Sequence, residues 1–327
     1  MKAISVTICT FLLTSFAFGW SAPGHKAIAL AARNMLEGTP AAVKIDALLE
    51  EEGIDDAAIW LDQVRAIARH QFHFEDEQAQ QEAELFNLQF DDNGDWHFVN
   101  SPVGMEQYSL NGKFAAPSDV VHALERAIDV MEGAPSTMTH IQAFRTILHL
   151  VGDIHQPMHC VTGFYDLSDM DHPKLLSKEQ VTSPTKVPED RGGNQLFFTK
   201  SQELHALWDL LLPQLISKDV NLLTDTISVN DLKNAPVTPG DYHHWPEIWA
   251  SETMKQGKEA YKDIVYESAE FVSDPRHPEN DQKVLRIVIS LPGGTKAYKE
   301  AQKPRAEEQL RKAAIHLAQL LNKIEFK

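Results

Sequence analysis

Apolar residues recur every three to four positions along most of this chain, a spacing typical of amphipathic helices. Residues 120–131 and 310–324 show it most clearly. Thr39 with Pro40 forms a start signal for one helix, and Pro304 predicts the start of the last one. Further helices are predicted, with approximate bounds, over residues 24–37, 41–51, 55–70, 138–156, 202–216 and 247–269.

Three long stretches lack this spacing and are rich in Asp, Asn, Pro and Gly. They cover residues 87–117, 160–200 and 218–245, and each is long enough to suggest a function. One strand signal, at residues 195–199, favours part of a short hairpin. We therefore expect an all-α fold, a single compact multi-helix domain with long loops and at most a short β-hairpin.

The first nineteen residues have the pattern of a secretory signal peptide. Lys2 supplies a positive start, the segment after it is mostly apolar, and Ala17-Phe18-Gly19 carries small residues where a signal peptidase reads them. Cleavage before Trp20 would leave residues 20–327 as one domain in the periplasm or outside the cell. The alternative, an uncleaved membrane anchor, is disfavoured because the apolar segment is short and no polar linker follows it.

Cysteine usage and net charge narrow the possible classes. Cys9 and Cys160 are the only cysteines, and Cys9 leaves with the signal, so no intramolecular disulfide can form. Bound metal could provide the missing stabilisation. The formal net charge of −17 argues against a protein that holds nucleic acid on a broad basic surface. A polyanionic substrate would need local cations, and metal ions are the obvious ones.

The same His-x-x-x-Asp pattern occurs on two predicted helices, as His149 to Asp153 and as His205 to Asp209. Residues four apart share a helix face, so each pair can close on one metal ion. A lone pair of this kind is usually a weak surface ion pair. Both pairs here are flanked by apolar residues, and polar groups in such surroundings need partners. His159 follows a proline that should end the first helix, which lets it turn toward the same pocket.

Three further residues fit a metal site, although each has an ordinary explanation when taken alone. Asp62 is a carboxylate in an amphipathic helix, where a surface charge is common. His97 lies between aromatic residues in a predicted buried loop, where a core histidine is common. His25 lies five residues after the predicted new N-terminus, where a loop residue without special role is common.

Taken in order, these motifs resemble the S1/P1-type single-strand nucleases, a zinc-dependent family in the same superfamily as zinc-dependent phospholipase C. The resemblance runs from Trp20 to the C-terminal helix, and the His-Gln-Pro-x-His run is its most specific part. The matching motifs are Trp20 with His25, Trp60-x-Asp62-x-x-Arg65, Trp96-His97-Phe98, His149-x-x-x-Asp153-Ile-His-Gln-Pro-Met-His159, Gly192-Gly-Asn194 and His205-Ala-Leu-Trp208-Asp209.

The resemblance implies three zinc ions per chain. One would be held by Asp62, His97, His149 and Asp153, and a second by His159, His205 and Asp209. The third would be held by His25, Asp153 and the free α-amino group and carbonyl of Trp20. An α-amine can chelate in this way only after the preceding residue has been removed, so signal cleavage would complete the site.

The activity implied is hydrolysis of single-stranded DNA and RNA to 5′-phosphate products, with nucleotides as further substrates. Whether 3′-nucleotidase activity accompanies it stays open. Asp62, Arg65 and Asp153 are the implied catalytic residues. Arg65 could reach a phosphate, orient Asp62, or simply form a surface pair with it. We expect no stable protein partner and no membrane anchoring after cleavage.

Three residues are candidates for binding the substrate. Phe98 could stack on a nucleobase, which would explain a single-strand preference, or could be a core aromatic. Asn100 stands where relatives are expected to carry an aspartate that reads the base edge. Asn194 could line the phosphate site or shape the Gly-Gly turn.

Two alternative functions stay open. A zinc-dependent phospholipase C is disfavoured by the short spacing from Trp20 to His25 and by Asp209, where those enzymes carry a glutamate. A non-catalytic zinc-binding carrier should show a flexible His- or Asp-rich tract. The candidate ligands here are spread over helices instead, which favours a fixed site.

Overall fold

The computed structural model describes residues 20–274 and 283–326. The predicted signal peptide, residues 1–19, lies outside the described residues. Within the described ranges, no helix is long and apolar enough to cross a membrane.

Helices dominate the described chain, which confirms the predicted all-α class. Their starts follow the local sequence. The Thr39 hydroxyl accepts a hydrogen bond from the Ala42 amide, and Pro40 fills the first helical position. The helices are α1 (Ala22–Met35), α2 (Pro40–Leu49), α3 (Ile54–Ala57), α4 (Trp60–Ala68), α5 (Glu77–Gln89), α6 (Val120–Met131), α7 (His140–Ile154), α8 (Pro157–Cys160), α9 (Leu204–Ala206), α10 (Leu212–Ile216), α11 (Val220–Ile227), α12 (Trp245–Ala260) and α13 (Gly294–Leu321).

Helix α7 lies at the centre of this arrangement. It packs against α6 and α13 and also contacts α1, α4 and α12. A capping box between Thr139 and Gln142 fixes its start. Every residue from Thr146 to Ile154 is buried. A helix covered on all sides takes its polar side chains into the core, so His149 and Asp153 must find partners there.

The strands form a larger sheet than the predicted short hairpin. β1 (Tyr165–Asp166) pairs antiparallel with β2 (Lys174–Leu175). β3 (Leu196–Phe197), β4 (Val265–Ser273) and β5 (Lys283–Ser290) form a second sheet in the order β3-β5-β4. The strand signal at residues 195–199 is thus confirmed, but the strand runs parallel to β5, far away in sequence.

Several predicted helix bounds were wrong. The last helix begins at Gly294, and Pro304 lies inside it on an exposed face, where water can reach the carbonyl that the proline leaves unbonded. The helix predicted over residues 247–269 ends at Ala260. Asp263 then takes a left-handed conformation (φ 59°), and the chain continues as β4.

Two further predicted segments differ in detail. The helix predicted over residues 55–70 is broken between α3 and α4. The one predicted over residues 202–216 contains a π-helical stretch, Leu207–Leu211, between α9 and α10. In addition, α11 lies within residues 218–245, a stretch predicted to be irregular.

Candidate metal centre

The break between α3 and α4 orients the first histidine of the centre. Ala58 lies in this break, and its carbonyl accepts a hydrogen bond from His149 Nδ1 at 2.8 Å. A carbonyl oxygen can only accept, so Nδ1 carries a proton and Nε2 is the nitrogen that faces the centre. His149 Nε2 lies 3.2 Å from Asp153 Oδ2, one helical turn along α7. The predicted i,i+4 pair is therefore confirmed as a close, buried pair.

Asp62 and His97 complete a first group around this pair. His97 Nδ1 lies 2.8 Å from Asp153 Oδ2 and 3.2 Å from His149 Nε2. Asp62 Oδ1, from α4, lies 3.6 Å from His149 Nε2 and 3.9 Å from His97 Nδ1. Asp62, His97 and His149 have donor atoms close enough together to hold one metal ion. Asp62 is therefore not a surface charge, and His97 is not an isolated core histidine.

A second group is formed by His159, His205 and Asp209. His159 Nδ1 donates to the His97 carbonyl at 2.6 Å, and His205 Nδ1 donates to the Gly192 carbonyl at 2.7 Å. Both Nε2 atoms are therefore unprotonated, and they face each other at 3.2 Å. Asp209 Oδ2 lies 3.2 Å from His205 Nε2. Two facing lone pairs repel each other unless a cation lies between them.

His25 joins a third group with His149 and Asp153. Its ring stacks on that of His149, with centroids 4.0 Å apart and an interplanar angle of 16°. Its Nε2 lies 3.4 Å from Asp153 Oδ1. Gly152 makes this approach possible, because a Cβ there would lie 2.6 Å from His25 Nδ1. Asp153 thus presents one oxygen to the first group and the other to the third.

Trp20 begins the described chain beside the second group. Its side chain is fully buried, and the Ser21 amide donates to the Asp209 carbonyl at 3.0 Å. Gly24 allows the Trp20 side chain to lie against the start of α1, since a Cβ at position 24 would lie 2.6 Å from Trp20 Cβ. The start of the described chain is therefore held next to Asp209. The α-amino ligand itself stays a prediction.

Several buried nitrogen and oxygen atoms that could bind metal in these groups lack a hydrogen-bond partner. They are Oδ1 of Asp62, Oδ1 of Asp153, Oδ2 of Asp209, Nε2 of His97 and both ring nitrogens of His25. A buried polar atom without a partner costs about 1–3 kcal/mol. Imidazole nitrogens and carboxylate oxygens are the donors that Zn²⁺ and similar cations prefer. The donor set therefore fits bound metal ions.

Burial raises the pKa of two of the carboxyl groups. The pKa of Asp62 is raised to about 6, with His149 partly opposing the shift. The pKa of Asp209 lies well above its usual range for the same reason, although the Gln156 amide opposes it. Burial therefore makes the charged form of both groups less favourable than it is in water. A bound cation favours the carboxylates instead, so metal binding should release protons.

Most of the imidazoles are neutral at physiological pH. Burial lowers the pKa of His25 to about 4 and that of His205 to about 3. His149 is the exception, because Asp153 and Asp62 outweigh its burial and raise its pKa to about 9. A neutral imidazole is the form that binds metal. The centre therefore holds most of its nitrogen donors in the binding form.

Arg65 extends the centre along α4. It follows Asp62 by three residues and is 8% exposed, so it is no surface pair. Burial lowers the pKa of Arg65, while the carboxyl groups of Asp62 and Asp153 oppose the shift. A buried guanidinium among carboxylates is suited to hold a further anion.

The predicted substrate residues are less deeply buried than the residues of the three groups. Phe98 and Asn100 are half-buried in the segment after His97. The Val99 amide between them donates to the His159 carbonyl at 2.7 Å. Asn194 donates its side-chain amide to the Arg191 carbonyl at 2.8 Å, which supports the turn-shaping interpretation.

Two residues that the sequence analysis missed hold the second group in place. The Gln156 side-chain amide donates to Asp209 Oδ1, and this glutamine could have been found in the His-Gln-Pro run. Asp190 accepts from the Gly163 and Gly193 amides and from the Tyr165 hydroxyl. It thereby fixes the turn that carries the Gly192 carbonyl. Its partners are scattered along the chain, so no sequence pattern marks it.

His155 and Cys160 are buried residues of the core that contact other parts of the fold. His155 Nδ1 donates to the Val151 carbonyl, and its Nε2 accepts from His316 Nδ1 at 2.7 Å. This agrees with the prediction that His155 is not itself a ligand. Cys160 is a buried free thiol whose pKa is raised by burial, as expected for an inert core residue.

The fold and the centre together define a class, a helical protein with three buried His/Asp groups that could hold metal ions. A family model described as S1/P1 Nuclease matches residues 20–325, nearly the whole chain. The chain therefore belongs to the S1/P1 nuclease family and is a hydrolase of the nuclease type. No curated protein matches the sequence in a direct search.

Proposed function

We propose that this nuclease is an extracytoplasmic endonuclease that cuts single-stranded DNA and RNA to 5′-phosphate products at a centre of three zinc ions. Family membership supplies the reaction class. The observation that carries the zinc proposal is the arrangement of three donor groups in which unprotonated nitrogens and unpartnered oxygens face one another.

Each ion would be held by donors from separate parts of the fold. The first would bind Asp62, His97, His149 and Asp153, the second His159, His205 and Asp209, and the third His25, Asp153 and the terminal amine and carbonyl of Trp20. When bound, zinc lowers the pKa of water toward neutrality and offsets the charge of a phosphate. Three dications exceed the charge of three carboxylates, which would keep the centre positive in an acidic protein.

The side chains around the centre would orient the substrate. Asp153 would keep two donor groups at a fixed separation through its two oxygens. Arg65 would pair with a phosphate oxygen, since its guanidinium is buried beside the carboxylates and matches phosphate geometry. Asn194 would act by holding the turn next to the second group rather than by touching the phosphate.

The depth of the centre supports a single-strand preference. Its donor residues are at most 6% exposed, so they offer little surface to a broad, rigid duplex. Phe98, half-buried beside His97, would stack on the adjacent base. Bases in a duplex are already stacked and paired, and only an unpaired strand offers them to a protein side chain.

The proposed location is the periplasm or the extracellular space, after cleavage before Trp20. Burial of Trp20 beside the second group supports a chain that begins there. A carrier role is disfavoured because His149, His159 and His205 are each locked by a hydrogen bond to a backbone carbonyl. Such locking suits a permanent site rather than one that releases its metal.

The test is a metal count combined with a substrate comparison. The protein beginning at Trp20 is analysed for zinc, and its cleavage of single-stranded DNA, single-stranded RNA, duplex DNA and phosphatidylcholine is measured. We expect three zincs per chain, cleavage of both single strands, and loss of activity with EDTA that zinc restores. Cleavage of the lipid alone would favour the phospholipase, and three zincs without hydrolysis would favour the carrier.

An Asp153 variant tests whether activity depends on the proposed metal centre. Asp153→Asn should lower activity at least ~100-fold, since loss of even an outer metal partner costs ~10–100-fold. It should also reduce the zinc count. Asp129→Asn, an exposed position on α6, is the matched control and should change neither. Full activity in Asp153→Asn would contradict the proposed centre.

A further inference from the structure

The segment that contains Arg65 and the residues after it carries basic and aromatic side chains without any acid. Residues 63–74 include two arginines, two histidines and two phenylalanines, and no Asp or Glu. The chain as a whole carries a net charge of −17. Glu75, Asp76 and Glu77 follow at once, so the basic segment has a sharp end.

This segment continues the face of α4 that carries the centre. Arg69 lies seven residues after Asp62, which is close to two full turns, so both side chains lie on nearly the same face. The axial distance between the two positions is about 10 Å, roughly the length of three stacked nucleotides at ~3.4 Å each. Arg69 itself is exposed.

The loop after α4 is held in a defined shape. His70 takes a left-handed conformation (φ 57°), and the Gln71 amide donates back to the Ala66 carbonyl at 2.9 Å. At the other end, the Phe74 amide donates to Gln80 Oε1 at 2.9 Å. A loop fixed at both ends presents its side chains with little loss of entropy on binding.

Phe72 is the side chain that this loop presents. It is 36% exposed, and its ring meets the edge of Phe74 at a centroid distance of 4.9 Å. Phe74 is partly buried and packs against the main core, so it connects Phe72 to the core. Exposed His70 and His73 flank the pair. An aromatic face beside an arginine is an arrangement that binds single-stranded nucleic acid by stacking and charge.

We infer that Arg69, His70, Phe72 and His73 form a strand-binding platform, on which the single strand rests a few nucleotides away from the bond that is cut. The inference rests on the proposed function. The occupant is a single-stranded nucleic acid because the acid-free segment is complementary to phosphate and continuous with Arg65. The platform makes long strands better substrates than dinucleotides.

The experiment compares a long and a short substrate. The KM is measured for the oligonucleotide dT12 and for the dinucleotide TpT in the wild type and in Phe72→Leu, which keeps the apolar character but removes the ring. We expect the KM for dT12 to rise about tenfold, and the KM for TpT to rise by a clearly smaller factor. Phe72→Trp should restore the KM for dT12. Phe271→Leu, an exposed phenylalanine on β4, is the matched control.

A binding measurement separates the platform from the chemistry. Anisotropy of a fluorescein-labelled phosphorothioate dT12 is followed against salt. Arg69→Gln should weaken binding and reduce the slope of log K against log salt by about 0.7, whereas Lys296→Gln, an exposed cation on α13, should do neither.

The outcomes distinguish two failures. If the wild type cuts single strands but Phe72→Leu and Phe271→Leu behave alike with dT12, the platform is wrong and the proposed function stands. If the wild type cuts neither substrate, the proposed function fails. In that case the platform still stands if binding of phosphorothioate dT12 depends on Phe72 and Arg69, and it is wrong if it does not.

Discussion

His159 and His205 point their Nε2 atoms at each other across 3.2 Å, although neither atom carries a proton. The protons lie on the opposite nitrogens, where each ring donates to a backbone carbonyl. The fold thus holds two lone pairs in a repulsive arrangement that a cation would relieve. The backbone carbonyls thus hold both rings in an orientation that could bind a metal ion.

Gln156 supports the same site through its hydrogen bond to Asp209. Gln156→Leu removes the donor that orients this carboxylate, so we expect the affinity for one zinc to fall by ~10–100-fold. Competition with a chelator measures this affinity. Gln302→Leu is the control, because it changes a buried glutamine that lies on a different helix, α13. Equal zinc affinity in both variants would show that Gln156 does not orient the site.

Gly152 gives His25 its place beside Asp153. A Cβ at position 152 would lie 2.6 Å from His25 Nδ1, so Gly152→Ala should displace this ring and cost about 1–3 kcal/mol of stability. Elemental analysis should find one zinc fewer. In Gly94→Ala the new Cβ has no atom within 4 Å, so this variant should keep its metal. Three zincs in Gly152→Ala would mean that His25 is not a ligand.

The α-amino group of Trp20 is expected to bind the third zinc only when it is free. A chain that begins at Gly19 should therefore hold one zinc fewer than a chain that begins at Trp20, because an amide nitrogen replaces the amine. Mass spectrometry confirms the first residue and elemental analysis counts the metal. A chain with one extra residue after Lys327 is the control. Equal zinc counts for both N-termini would exclude the amine as a ligand.

The buried pair His155 and His316 should make folding sensitive to acid. Burial lowers the pKa of His316 to about 2, so the folded state excludes a proton that the unfolded chain accepts below its ordinary pKa of 6.5. The folded state is therefore fully favoured above pH 6.5 and loses stability as the pH falls. The loss should reach about 1.4 kcal/mol per pH unit for this residue.

His316→Asn tests this linkage, because its amide can still donate toward His155. Urea unfolding between pH 7 and pH 5 should show that the variant loses less stability than the wild type as the pH falls. The difference in slope should approach that of one proton, about 1.4 kcal/mol per pH unit. His172→Asn changes a histidine whose side chain is 78% exposed, and it should keep the wild-type slope. Identical slopes for wild type and His316→Asn would contradict the predicted role of this group.

Local pattern predicted most of the helices, because apolar spacing and capping residues act within a few turns. It failed where the decisive contacts are distant. Pro304 reads as a start signal, yet the helix begins ten residues earlier. Residues 265–269 were predicted as helix, but Val265–Ser273 pairs with Lys283–Ser290 as a β-ladder. Strand pairing depends on a partner that the local sequence does not contain.

The sequence by itself determined which donors are available, since the His-x-x-x-Asp pairs and the His-Gln-Pro-x-His run specify both residue type and helical spacing. Only the tertiary structure decided which donors meet. It brings Asp62, His97 and His25 from three separate segments to the pair on α7. It also supplies the carbonyls of Ala58, His97 and Gly192 that set the tautomers of His149, His159 and His205. Backbone carbonyls are the same in every residue, so their role is fixed by position in space and leaves no trace in the sequence.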